Sequence, residues 1–179
     1  VYLEDGISAV ITSAYTQDGP AQVPGALQNG IVDAIKLVFS EVMANSSDPY
    51  KLVTIDGTAA TGAVIRGTDV YITMAEVAKN WNTDITPTLA YSGSTILDAN
   101  GGKLSAINQV ALDGAGPVII AAETADIGAF AGTANNGQID AILATFSEPV
   151  NAADGANDTS AGDALIDEFL VAGYAVNLA

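Results

Sequence analysis

The segment Asn29-Gly30-Ile31-Val32-Asp33-Ala34-Ile35-Lys36-Leu37-Val38-Phe39-Ser40-Glu41 alternates in character. Ile35, Leu37 and Phe39 fall on one parity; Ala34, Lys36, Val38 and Ser40 fall on the other. Side chains of a strand point to opposite faces in turn, so a period of two predicts a strand with one face in a core. The same pattern returns at Asn136-Gly137-Gln138-Ile139-Asp140-Ala141-Ile142 and closes on Phe146-Ser147-Glu148.

The likeness extends upstream. Asp5-Gly6, Val10-Ile11-Thr12-Ser13-Ala14 and Asp18 match Asp113-Gly114, Val118-Ile119-Ile120-Ala121-Ala122 and Asp126. Subtracting 5 from 113 gives an offset of 108, and 29 from 136 gives 107, so one residue is lost in the loop between. Downstream, Phe169-Leu170-Val171-Ala172-Gly173 matches Val53-Thr54-Ile55-Asp56-Gly57, after a longer polar loop from Asn151 to Asp163. Order, spacing and residue type agree, which is the signature of an internal repeat. Ala179 falls opposite Ala63, and Val1-Tyr2-Leu3-Glu4 falls opposite Gln109-Val110-Ala111-Leu112. The expectation is a piece of a longer array. Completion by a neighbour's strands explains less, because Val1 to Leu3 supplies one strand and not four.

Within the first copy, turn signals separate short runs of strand character. Strands are predicted at 7–15, 32–41, 50–55, 63–65, 70–74, 86–92 and 107–112, with Arg66-Gly67-Thr68-Asp69 as a hairpin turn. In the second copy they are predicted at 115–122, 139–147 and 168–173. Ala75 to Asn80 reads as one or two turns of helix, and Trp81 after it reads as a core plug. The fold class is all-β: an immunoglobulin-like β-sandwich in tandem repeat, the second repeat incomplete. Residues 1–112 form the complete repeat, with 1–4 as the tail of a preceding one, and 113–179 the first part of the next. Three strands of a second sandwich are expected to expose apolar faces and free edges.

Charge narrows the partners. There are 21 acidic against 5 basic residues, net −16, which repels phosphate backbones and anionic lipid. Neither nucleic acid nor membrane insertion is expected; the longest apolar runs fall far short of a span. With no His and no Cys, neither a Ser-His-Asp nor a Cys-His system can be built, and no phosphate-binding Gly-rich loop is present. The chain reads as a non-enzyme.

Phe146-Ser147-Glu148-Pro149-Val150 and Phe39-Ser40-Glu41-Val42-Met43 resemble the second-strand motif of bacterial immunoglobulin-like repeats. Those repeats occur in S-layer proteins and large surface adhesins. Thr86-Pro87-Thr88-Leu89-Ala90-Tyr91-Ser92, then Asp98-Ala99-Asn100-Gly101-Gly102-Lys103-Leu104, resembles the family's late strand and its Asp-x-x-Gly-Asn turn, with Gly102 where Asn is common. The resemblance implies an extracellular, cell-surface location. It implies a structural or adhesive repeat module of an S-layer, filament or stalk, whose partners are other copies of the protein or further repeats of the same chain. The alternative is a carbohydrate- or ligand-binding accessory domain of a large secreted protein. That reading wants a flat aromatic strip, whereas Tyr2, Tyr15, Tyr50, Tyr71, Tyr91 and Tyr174 are scattered.

Calcium is the cofactor the acids point to, because it takes six to eight oxygens, usually from loops. Asp18, Asn29 and Asp33 flank one loop, and Asp126, Asn136 and Asp140 are their counterparts. Asp33 and Glu41 sit roughly 26 Å apart at about 3.3 Å per residue, so they serve opposite poles. Asp113, between the copies, is expected to meet Glu41 if the poles align. The competing reading is that Asp and Asn merely make turns, and that Asp154, Asp158, Asp163, Asp167 and Glu168 solvate a loop. Asn45-Ser46-Ser47 and Asn157-Asp158-Thr159 fit the glycan-acceptor pattern.

Overall fold

The computed structural model describes residues 7–19, 28–44, 50–77, 80–93, 95–128 and 133–150. Outside them lie Val1–Glu4, read as the tail of a preceding repeat, the Asp5-Gly6 pair, both glycan-acceptor Asn residues, the acidic loop and the strand expected at 168–173. Ten strands are described: β1 Ile11–Gln17, β2 Ala34–Phe39, β3 Val53–Ile55, β4 Thr58–Ala59, β5 Gly62–Arg66, β6 Asp69–Thr73, β7 Thr88–Tyr91, β8 Ile107–Val110, β9 Ile119–Ala125 and β10 Ala141–Phe146. Every ladder between them is antiparallel. No helix occurs among the described residues. The chain divides into two compact units, Val1–Val118 and Ile119–Ala179.

The first unit holds two four-stranded sheets, ordered β1-β2-β6-β5 and β4-β3-β7-β8. Alternation works as the sequence predicts on β2: Ile35, Leu37 and Phe39 are buried, and Lys36 and Val38 only partly so. These three meet Val70 and Ile72 of β6, Val53 and Ile55 of β3, and Leu89 and Tyr91 of β7 in one apolar cluster. Residues of both sheets share that core, as in a β-sandwich. Each such side chain contributes about 1.5–3 kcal/mol by leaving water. Tyr91 needs a polar partner for its buried hydroxyl. It accepts the backbone N–H groups of Thr95 at 2.8 Å and Ile96 at 3.0 Å, which fixes the connection from β7 toward β8.

The sheets are joined at β1. Beyond β8 the chain crosses to the open edge of β1, where Tyr15 and Leu112 form a parallel bridge. Thr16 N–H donates to the Leu112 carbonyl, and Leu112 N–H to that of Ala14, both at 2.9 Å. Thr16, with a buried hydroxyl, also accepts the amides of Gly114 at 2.9 Å and Ala115 at 3.3 Å.

Two expectations fail. Residues 74–77 and 80 are not helical, because the Met74 amide is drawn to the Asp33 carbonyl at 2.9 Å, continuing the β2–β6 pairing. Trp81 is not a core plug: it is 44% exposed, since the core is already filled by the strands. One element went unread, the β3–β4 hairpin on Asp56-Gly57. Both residues adopt positive φ (47° and 78°), as a tight two-residue hairpin turn requires.

In the second unit β9 and β10 pair with Ile119 opposite Phe146 and Ala125 opposite Ala141, slipping by one residue beside Phe146. In the first unit β1 and β2 pair with Ile11 opposite Phe39 and Gln17 opposite Ala34, slipping beside Ile11. Ile119, Ile139, Ile142 and Leu143 are exposed.

Candidate functional site

The β1–β2 connection gathers acids because both strands end there. Asp33 precedes β2 and Asp18 follows β1; each is nearly buried, at 6% and 4% exposure. The Asp18 carboxylate accepts the amide of Asn29 at 3.3 Å through Oδ1 and that of Gly30 at 2.8 Å through Oδ2. Asp33 Oδ2 accepts the amide of Gly19 at 3.0 Å. Asn29 closes a turn on itself, its Oδ1 accepting the Ile31 amide at 2.9 Å. The two acids thus staple the two sides of one loop.

Sequence reasoning missed a fourth member, Glu76. Asn29 Nδ2 donates to Glu76 Oε2 at 3.3 Å, and the Glu76 carboxyl lies near enough to Asp33 to oppose its ionisation. The signal was present in the register: Thr73 opposite Ala34 carries the chain past Asp33. Burial pushes Asp33 up from 3.8 to about 7, helped by the Glu76 carboxyl and by the charge of Asp18. Burial also raises Asp18, against the pull of the Gly30 and Asn29 amides. Like charges held together out of water resist ionising. Trp81 borders the same pole, since Asn82 beside it donates its amide to the Gly30 carbonyl at 2.9 Å.

The second unit builds the corresponding loop. Asp126 Oδ2 accepts the Gly137 amide at 2.6 Å. Asp140 accepts those of Ile127 at 3.0 Å and Gly128 at 2.7 Å, and Asn136 Oδ1 accepts that of Gln138 at 2.8 Å. Asp126 Oδ1 is buried with no hydrogen-bond partner.

Asp113 and Glu41 are not brought together within the first unit. Asp113 stands 3.5 Å from the Thr16 hydroxyl, and Thr16 pairs with Ile35. Glu41 lies six residues further along the chain, roughly 20 Å at 3.3 Å per residue. The strands run between them, so this pair shares no ion in that unit.

Among the described residues, no three carboxylates are drawn tightly enough together to hold a metal ion outright. Much of the acids' hydrogen-bonding capacity goes to backbone amides, as the turn-making reading expects. A cleft of about 280 Å³ between residues 8–11 and 104–109 is lined by no acid or base. Comparison with family models, with curated proteins and with solved structures finds no match.

Proposed function

We propose that this chain is a structural or adhesive module of an extracellular, cell-surface assembly, built from an immunoglobulin-like unit copied in tandem. The observation that carries this is the agreement between the β1–β2 and β9–β10 ladders. Ile119–Phe146 stands for Ile11–Phe39, each ladder slips by one residue at that pair, and both loops hold Asp, Asn and Gly by equivalent hydrogen bonds. The sheet order β1-β2-β6-β5 over β4-β3-β7-β8 supports the immunoglobulin-like assignment. Tandem units act as spacers, and a charge of −16 suits exposure to the medium.

Calcium enters the reading at the Asp18–Asp33–Glu76 pole. The three carboxylates do not by themselves stand close enough to hold an ion, so calcium would have to draw them together, and doing so would relieve the repulsion that, after burial, raises Asp33. Asp126, Asn136 and Asp140 offer oxygens of the same types in the second unit. The partners are other copies or further repeats.

Imaging the native assembly tests the proposal. Filaments or sheets with a regular repeat are expected; dispersed particles would sink it. A ligand-binding accessory role draws on the exposed Trp81 beside the acidic pole, and binding on a glycan array, lost in Trp81→Ala, would favour that rival.

A further inference from the structure

Ile35 of β2 is 0% exposed, whereas Ile142, its counterpart in β10, is 48% exposed. The difference lies in what stands beside each strand. β2 pairs with β1 on one side and with β6 on the other, from Ala34 opposite Thr73 to Val38 opposite Asp69. Among the described residues β10 pairs with β9 alone. Its second edge presents backbone N–H and C=O groups, flanked by the exposed side chains of Ile142 and Leu143. An edge of that kind is a template for a further strand.

The sequence holds a segment of the right kind. β6 carries Val70-Tyr71-Ile72-Thr73, and Val1-Tyr2-Leu3-Glu4 repeats that order: valine, tyrosine, an aliphatic residue and a polar one. Against Gln109-Val110-Ala111-Leu112 the same four residues have no identity. The offset of 107 carries the β6 register onto β10. Glu4 then falls opposite Ala141, Leu3 opposite Ile142, Tyr2 opposite Leu143 and Val1 opposite Ala144. In the first unit Thr73, Ile72, Tyr71 and Val70 face Ala34, Ile35, Lys36 and Leu37. The change at the third acceptor position fits. Lys36 is held by Asp69 at 2.8 Å and stands 5.8 Å from the centre of the Tyr71 ring. Leu143 replaces that lysine with an apolar neighbour for the Tyr2 ring, which needs no acid beside it.

We propose that β10 is a strand-acceptor edge, on which Val1–Glu4 of a second copy pairs antiparallel in the register that β6 takes on β2. This rests on the tandem-copy reading above, because it treats β10 as the counterpart of β2. The donated segment fills the place of β6 and no other, so one strand suffices. Main-chain hydrogen bonds supply the affinity, and Leu3 beside Ile142 with Tyr2 beside Leu143 sets the register. Donor and acceptor are different surfaces, so the contact is heterologous. Each copy that gives its segment still has an edge to offer, and repetition builds rings or open filaments in place of a two-fold dimer.

The chain contains no cysteine, so a disulfide reports only the pair introduced. One preparation of the full chain carries Tyr2→Cys and another Leu143→Cys. Residues directly opposite in an antiparallel pair lie within disulfide reach. Copies of net charge −16 repel, so the two are mixed and oxidised in about 0.15 M salt. The control is Tyr2→Cys mixed with Glu123→Cys, because Glu123 faces Leu143 from β9, one strand further from the donor. Linkage of position 2 to position 143 is expected to exceed linkage to position 123 by at least about tenfold. Equal yields overturn the proposal. A chain carrying both Tyr2→Cys and Leu143→Cys is expected to give linked oligomers; a linked monomer overturns the second copy as occupant. Deleting residues 1–4 is expected to abolish assembly. Filaments that persist without those residues remove this contact and leave the assembly reading standing.

Discussion

The Thr16 hydroxyl accepts the Gly114 amide at 2.9 Å across 98 residues of chain. It also accepts the Ala115 amide, and Thr16 is 1% exposed, so no water replaces it readily. Thr16→Val keeps the shape and removes the acceptor, leaving two backbone donors unsatisfied. A loss of about 1–3 kcal/mol is expected in urea unfolding of the first unit. A midpoint unchanged from the parent would contradict it.

Asp33 gives the chain a pH response of definite sign. Its folded value of about 7 lies above the ordinary 3.8, so the fold favours the protonated form. The stabilisation is complete below the unfolded value and lost as pH rises through the folded one. In chelator, the melting temperature should fall between about pH 5 and pH 8, by at most about 1.4 kcal/mol per pH unit. Asp33→Asn should flatten the profile. A melting temperature rising over that range rejects the assignment.

Calcium should act in the opposite sense. At neutral pH, millimolar calcium added after chelation is expected to raise the melting temperature, by about 2.7 kcal/mol of stability where free calcium reaches 100 times its Kd. Asp18→Asn with Glu76→Gln should abolish the shift in the first unit. No shift in the parent chain removes calcium from the reading.

Gly102 is held to glycine by Asp98. The Asp98 side chain is buried, its Oδ1 accepts the amides of Asn100 and Gly102 at 2.8 Å, and its Oδ2 has no hydrogen-bond partner. A Cβ on Gly102 would collide with that Oδ2. Gly102→Ala should therefore cost about 1–3 kcal/mol, measured by thermal melting. The Asn common at this position in the resembling family does not fit unless Asp98 moves.

What the sequence made legible was whatever obeyed a short period. The alternation at Ile35, Leu37 and Phe39 located β2, and Arg66-Gly67-Thr68-Asp69 located the β5–β6 hairpin about Gly67. The Asp56-Gly57 turn is equally visible in type, but its likeness to Ala172-Gly173 in the second copy lets it pass as the end of a strand and hides β4. Glu76 is not legible for one reason. A helical reading of 75–80 ignored that β6, paired antiparallel to β2, had to emerge beside Asp33. The Asp18–Asn29–Asp33 set was found from its spacing about one loop. Its dependence on backbone amides was not, because hydrogen-bond partners are set by the turn and not by the composition.

The bridge between Tyr15 and Leu112 has a consequence for biosynthesis. The first strand of the unit finds its second neighbour only when the last has been made. During translation from the N-terminus, the sandwich therefore stays open along β1 until residues 112–115 leave the ribosome. Contacts of such long sequence separation are slow to close, and until then the chain shows an unpaired edge to whatever other strand is near.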